Sequence, residues 1–311
     1  MRWALTIFFV AVGLTVLGSI FIGSRGGKEG AVNVVGSTSI QPFAEMLAQE
    51  FHKRRPQYYV EVQGGGSTAG IEAVRNGIAD IGTCSRELKP DEQFESRVIA
   101  KDGLAIIVHW SNPVSDLTSR QIRDMFTGRI TNWKDVGGKD QPIRLISREE
   151  GSGTREAFQK LVMEKKPARP ATGSTGTQPA SGASGAHVPT DVRRPEDPKP
   201  RISRKALTQE SNGAVRELVK NDACAIGYMS LGLVSGEAKI LKVDGVMPQT
   251  SSVTDGTYPL VRPFLFVLKK GKLGEGTQRF IDFVLSEDGQ AMLEKEGLVR
   301  AGKPEGRDGG K

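Results

Sequence analysis

Val32-Asn33-Val34-Val35-Gly36-Ser37-Thr38-Ser39-Ile40 runs from a short apolar, strand-like segment through a Gly/Ser/Thr turn into a helix-like run, and this succession decides the fold. Phe43, Leu47 and Phe51 follow at four-residue spacing, the mark of one apolar helix face over 40–53. The same parts return twice. Residues 58–62 alternate as a strand does, Gly64-Gly65-Gly66-Ser67-Thr68 makes the turn, and Ile71 and Val74 lie on the next helix. Residues 142–147 are strand-like, Arg148-Glu149-Glu150-Gly151-Ser152-Gly153-Thr154 makes the third turn, and a helix is expected through Val162. Further strands are expected at 32–35, 79–83, 104–109, 225–229 and 263–268, and further helices at 118–126, 211–220 and 277–295. Strands alternating with helices imply α/β layers with mainly parallel sheets.

Three Gly/Ser/Thr turns at helix starts suit an oxyanion. The first N–H groups of a helix have no partner within it, and the aligned peptide dipoles place positive charge there. Glycine lets the backbone approach closely, and Ser and Thr hydroxyls add donors. Arg148 could supply one bidentate cationic contact. A single turn of this kind is better explained by ordinary helix capping, whereas three such ends converging on one point would hold a tetrahedral oxyanion.

Composition narrows the field. The chain has 311 residues, 25% of them charged, and a formal net charge of +7, which suits two soluble domains. Much of the positive balance sits in residues 166–206, with eight basic against three acidic side chains, so no nucleic-acid partner is expected. Cys84 and Cys224 are too far apart in sequence for a CxxC site and are expected as free thiols; His52, His109 and His187 are too scattered for zinc. No GxxxxGK[ST] and no GxSxG are present, so neither a nucleotide enzyme nor a serine hydrolase is expected, and no catalytic residue, metal or cofactor is assigned.

Two segments stand apart from the α/β pattern. No charge interrupts residues 3–24, and as a helix they would extend about 33 Å, enough to cross a hydrocarbon core. Residues 1–30 are therefore a signal peptide or an N-terminal membrane anchor, with both readings open. Residues 166–206 hold seven of the sixteen prolines and no aromatic residue, and are expected to be a disordered insertion on the surface.

The blocks GSTSIQPFAEMLAQEF, VQGGGSTAGIEAV, ADIGTCSREL, LTSRQIRDMFTGRITNWKDVGG, SREEGSGTREAFQKLV, ESNGAVRELV, AIGYMSLGLV, YPLVRPFLFVLKKG and FIDFVLSEDGQAMLEKEGLV resemble, in order, the phosphate-binding proteins of bacterial phosphate ABC transporters. The resemblance covers roughly 31–165 and 207–300. It implies an α/β, type II periplasmic binding protein fold with two lobes joined by crossing strands near 104–109 and 261–268. One lobe would be built from 31–105 plus 240–300, the other from 106–239 with the insertion inside it.

The resemblance further implies that inorganic phosphate is captured outside the cytoplasm, in the periplasm or anchored to the inner membrane, by a monomer that delivers it to ABC permease subunits. The alternative is an anchored phosphate sensor or scavenging receptor without a permease. The phosphate-binding residues it implies are Thr38, Ser39, Ser67, Arg148, Ser152, Gly153 and Thr154. Well-known members carry an aspartate where this chain has Ser85-Arg86. Ser85 and Arg86 are placed in the site, with Arg86 adding charge. The missing proton acceptor is expected to be Glu149, Glu150 or a backbone carbonyl, although solvated carboxylates would explain the two glutamates as well. Trp133 is expected to pack beneath a surface turn, and Phe264 and Phe266 to fill the core beside a crossing strand.

Overall fold

Residues 31–164 and 200–302 are described by the computed structural model. The chain opens with β1 (Ala31–Gly36), α1 (Gln41–Arg54), β2 (Tyr59–Gly64), α2 (Ser67–Arg75) and β3 (Ile81–Cys84). A long strand follows, β4 (Glu95–Val108), then β5 (Asp116–Leu117), α3 (Ser119–Phe126), β6 (Arg144–Arg148) and α4 (Gly153–Phe158), which widens into a π turn over Gln159–Met163. Next come β7 (Leu207–Gln209), α5 (Asn212–Asn221), β8 (Ala225–Ser230), β9 (Lys239–Ile240), β10 (Lys242–Val243) and α6 (Thr250–Thr254). The chain ends through β11 (Val261–Leu268), α7 (Glu275–Leu285), α8 (Glu287–Lys295) and β12 (Val299–Arg300).

The main sheet runs β2-β1-β3-β11-β4-β8-β6-β7. β1 is parallel to β2 and β3, and β6 is parallel to β7 and β8, as βα alternation requires. Between these blocks, β11 and β4 pair antiparallel, with Arg262 opposite Asp102 and Val261 opposite Gly103. Beyond Gly103 the same β4 strand changes partner, and Leu104 to Val108 pair with β8. One strand thus serves two lobes, the expected type II architecture.

Each lobe closes its own core. Val34, Leu47, Phe51, Phe266 and Phe280 fill the first. Phe126, Trp133, Phe158 and Tyr228 lead the second, where the Phe158 and Tyr228 rings stack with centroids 4.0 Å apart. Burying one such side chain stabilises a fold by about 1.5–3 kcal/mol. Trp133 is wholly enclosed and its indole N–H donates to the Cys224 carbonyl at 2.9 Å, which is how a buried tryptophan keeps its polar atom satisfied.

The lobe boundary differs from the expectation at 240. Leu241, Val243, Val253, Tyr258 and Leu260 pack in the second core, because β9 and β10 pair with β4 and β5 before the chain returns through β11. The insertion is also shorter at its C-terminal end than 166–206. Ile202 is buried in the second core with Ala206 packed against it, Ser203 donates its N–H to the Phe126 carbonyl at 2.7 Å, and Gln159 Nε2 donates to the Pro200 carbonyl at 2.7 Å, which together fix 200–206. The helix expected over 277–295 is two helices. Ser286 leaves the helical conformation and caps α8 by accepting from the Gly289 N–H. The signal or anchor assigned to 1–30, and 166–199 of the insertion, lie outside the described residues. Among the described residues, no helix is long and apolar enough to cross a membrane.

Candidate functional site

The first two turns are stitched to each other. Gly36, at φ 145°, lies so close to the Thr83 carbonyl that a Cβ would approach it to 2.3 Å, so only glycine fits. The Ser37 N–H donates to that Thr83 carbonyl at 3.0 Å, and the Gly66 N–H donates to the Gly36 carbonyl at 2.9 Å. The helices behind these turns, α1 and α2, have no side-chain cap at their N-termini. The Gln41 N–H is already taken by the Ser37 carbonyl at 3.0 Å and Pro42 has no N–H, so these helix ends offer the site mainly the positive potential of their N-termini.

The third turn, from the other lobe, closes on them. The Thr68 N–H donates to the Gly151 carbonyl at 3.1 Å. A Cβ on Gly153 would stand 2.1 Å from Ser67 Oγ and 2.7 Å from Ser85 Oγ. Ser39 Oγ and Thr154 Oγ1 are 2.8 Å apart, and Arg148 donates through Nη2 to Thr38 Oγ1 at 3.0 Å. Ser39, Ser67, Ser85, Arg148, Ser152 and Thr154 are each at most 1% exposed. An oxyanion seated between Ser39 and Thr154 would replace their mutual bond.

Arg148 is held from three sides. Its Nε and Nη2 donate to the two Glu149 carboxylate oxygens, each at 2.9 Å, and to the Gln209 and Glu210 carbonyls at 3.1 Å. The Arg148 N–H donates to the Tyr228 hydroxyl, which also bonds Ser147. Nη1 of Arg148 is buried with no hydrogen-bond partner among the described residues. An unpaired buried guanidinium donor is costly, so a site that keeps one invites an acceptor. Ser152 caps α4, accepting from the Arg155 N–H, which leaves its hydroxyl hydrogen available.

Arg86 does not join this cluster. Its Nη atoms form a fork onto Glu92 at 2.7 and 2.8 Å, and its Nε stands 3.0 Å from Glu156. Two carboxylates outcompete the anion site for this guanidinium, so the charge expected from Arg86 comes from elsewhere. Ser85 is in place: its Oγ accepts from Ser37 at 2.9 Å, and its N–H donates to Ser67 Oγ at 3.1 Å. Glu149 is the one glutamate of the third turn drawn into the site, whereas Glu150 is exposed.

The second cation is Arg262, which reading the motifs missed. On the crossing strand β11, it bonds Asp102 through Nε at 2.9 Å and Nη2 at 2.8 Å. Nη1 reaches Thr154 Oγ1 at 2.8 Å and Ser85 Oγ at 3.4 Å, and Nη2 reaches Ser39 Oγ at 3.3 Å. Asn212 was missed too; it donates to Ser39 Oγ at 2.9 Å. The available signal was the charge of Arg262 inside the apolar crossing stretch 261–268, since a buried charge demands a partner. Burial drives the Asp102 carboxyl upward and the Arg262 guanidinium downward, each opposed by the charge of the other. Both site arginines are thus matched by a carboxylate, and the charge of a bound anion must be met mainly by N–H and O–H dipoles. Among the described residues, no group of three or more His, Cys, Asp or Glu could hold a metal.

Two α/β lobes, sharing crossing strands and shut over a buried cluster of donors, define a solute-binding protein of the periplasmic type. The family model for the PBP superfamily domain matches residues 23–288, and the chain belongs to that superfamily. It is 28% identical over 270 residues to the phosphate-binding protein PstS of Bacillus subtilis, covering 85% of this chain and 78% of that one. Among solved structures, a Clostridium perfringens protein described as a phosphate ABC transporter substrate-binding protein with bound phosphate is 37% identical. That match covers 88% of this chain and 100% of the other with a TM-score of 0.75. An ABC-type phosphate transport receptor from Vibrio cholerae is 32% identical, with 87% and 100% covered and a TM-score of 0.67.

Proposed function

We propose that this protein captures inorganic phosphate outside the cytoplasm and delivers it to the permease of an ABC transporter, without chemical turnover. The observation that carries the reading is the meeting of Thr38, Ser39, Ser67 and Ser85 from one lobe with Arg148, Gly153 and Thr154 from the other, around the unpaired Nη1 of Arg148. Such groups come together only when the lobes are shut, so a ligand that bonds both sides selects the closed form. Relatives named for phosphate binding and phosphate transport support the choice of anion.

Phosphate differs from sulfate by its proton, and Glu149 is the acceptor for that proton in this reading. Arg148 occupies one position on each Glu149 oxygen, which leaves lone pairs to spare. Glu149 Oε1 also lies 3.7 Å from where a Cβ on Gly66 would stand, at the seam of the lobes.

Titration calorimetry with phosphate and sulfate tests the proposal. One phosphate per chain with much weaker sulfate is the expected result; no phosphate binding would overturn the function, and equal affinities would overturn the role of Glu149.

A further inference from the structure

We propose that the end of the first lobe at which the chain enters the fold is a docking surface for a bilayer carrying anionic lipid headgroups. The inference goes beyond phosphate capture and does not depend on it.

Topology fixes which end this is. β1, β2 and β3 are parallel and run toward the turns of the anion site, so Ala31 and its register partner Tyr59 lie at the opposite end of the lobe. Six residues of β1 at about 3.3 Å each place that end about 20 Å from Gly36. The turn Asn76-Gly77-Ile78 precedes β3 there, tied to β1 by the Asp80 N–H, which donates to the Asn33 carbonyl at 3.0 Å. β11 runs antiparallel to β3, so the turn that follows it, Lys269-Lys270-Gly271-Lys272, comes to the same end.

Two kinds of side chain are left uncovered on this end. Lys269, Lys270 and Lys272 are exposed, and among the described residues no carboxylate pairs with them. The carboxylates of this end are bonded elsewhere. Asp80 accepts the Asn33 N–H at 2.8 Å, Glu95 pairs with Arg97, and Glu275 pairs with Arg279 and accepts from the Tyr58 hydroxyl. Ile78 is 68% exposed and Tyr59 57%. Ile78 sits on a fixed turn: Gly77, at φ 69°, donates its N–H to the Val74 carbonyl at 3.1 Å, and the Ile78 N–H donates to the Ala73 carbonyl at 2.8 Å. In a helix stop of this kind the apolar residue after glycine commonly folds back onto the helix; here it stands in solvent. Lysines beside an exposed aliphatic residue and a tyrosine suit a surface at the level of lipid headgroups.

The chain before Ala31 says what covers them. Residues 3–24 carry no charge and suffice as a helix to cross a hydrocarbon core, and only Arg25-Gly26-Gly27-Lys28-Glu29-Gly30 stand between that run and β1. Six residues reach no more than about 22 Å when fully extended. With the run retained in a bilayer, this end of the lobe is held within that distance of the headgroups. An anionic surface attracts lysines over about a Debye length, about 8 Å at physiological salt. Tether and charge therefore act on the same end. The anion site, about 20 Å along β1, stays clear of the lipid, so phosphate binding is unaltered by docking.

The test uses the full chain made by cell-free synthesis into nanodiscs, which keeps residues 1–30 attached. Discs of phosphatidylcholine alone are compared with discs of phosphatidylcholine mixed with phosphatidylglycerol, and amide hydrogen exchange is read over 76–80 and 268–273. Exchange in both stretches should slow by at least about fivefold on the anionic discs, the effect of one lysine at such a surface, and added salt should reverse it. Lys269→Glu combined with Lys270→Glu and Lys272→Glu should abolish the slowing and leave phosphate affinity at its native value. Equal exchange on the two kinds of disc overturns the inference, as does slowing that survives the triple variant or is indifferent to salt. Should the triple variant not fold, the two discs and the salt reversal decide. A native chain that docks but binds no phosphate removes the functional reading and leaves this inference standing.

Discussion

Asp102 and Arg262 face each other as register partners on the two strands that pass between the lobes, and their side chains form an ion pair at 2.8 Å with both residues at most 2% exposed. The pair carries out two tasks with one geometry. Its position ties β4 to β11 where the lobes diverge, and its remaining N–H groups reach hydroxyls of both lobes. Removing one member leaves the other charged and buried. Arg262→Met should therefore cost about 3–5 kcal/mol of stability, because the desolvation of Asp102 is no longer offset. The double variant with Asp102→Asn should recover much of that loss. Denaturant unfolding of the two variants checks this, and equal losses would mean that the pair is not energetically coupled.

Arg148 should matter for binding more than for folding. Its Nε and Nη2 are spent on Glu149, two carbonyls and Thr38, and Nη1 is what remains for a ligand. Truncation to Met should weaken phosphate binding by about 2–5 kcal/mol, the range for one partner of a desolvated charged contact. Lysine cannot reproduce the fork and should rescue little. Calorimetry on both variants measures this; full rescue by lysine would reduce Arg148 to a point charge.

Gly153 offers a test of closure itself. Alanine is a good helix residue, so Gly153→Ala should leave the second lobe folded. Its Cβ, however, would stand 2.1 Å from Ser67 Oγ in the shut molecule. The variant should bind phosphate at least about tenfold more weakly, a loss of about 1.4 kcal/mol or more. Small-angle scattering should show no compaction on adding phosphate, and native affinity would mean that the lobes shut in some other way.

How much of this was readable in the sequence follows from the range of each interaction. The strand-turn-helix units at Gly36, Gly64 and Gly151 were legible because they are local: apolar periodicity and turn residues sit within a few positions of one another. The first half of β4 was not, because Glu95, Arg97, Lys101 and Asp102 break the apolar pattern of a strand whose pairing comes from β11, more than 150 residues away. Arg86 misled for the same reason. It lies beside Ser85 in sequence, yet its direction is set by Glu92 and by Glu156 on the other lobe. Arg262 was hidden in an apolar crossing strand whose partners, Asp102, Ser39 and Thr154, come from three separate stretches of chain.

Glu92 should give the stability a dependence on pH. Burial acts to raise its carboxyl, but the Arg86 fork and the Lys89 N–H outweigh burial and hold it below its usual value. A carboxyl lowered in the folded state contributes stability above its unfolded value, about 4.3, and loses it as the pH falls through the folded value. Glu92→Gln should therefore lower the melting temperature at neutral pH and converge with the native chain in acid. Parallel melting curves down to acid pH would show that the Arg86 fork adds nothing.

Glu156 is the last test, and it concerns rates. It projects from α4 of the second lobe to Arg86 Nε at 3.0 Å and Lys89 Nζ at 2.7 Å on the first, and Lys160 pairs with Glu87 across the same edge. These contacts lie outside the anion cluster, so they should not choose the ligand, but opening the lobes must break them. Lys89 and Lys160 are about half or more exposed, so each pair is screened and worth at most about 1 kcal/mol. Glu156→Gln should raise the rate of phosphate release by about two- to fivefold with little change in the rate of capture, since edge contacts that form on closing act mainly on dissociation. Added salt should speed release from the native chain toward that of the variant, because screening weakens the same attraction. Stopped-flow release measured across salt concentrations separates the possibilities. A native release rate indifferent to salt would mean that the hydroxyls and guanidinia of the buried cluster alone hold the lobes shut.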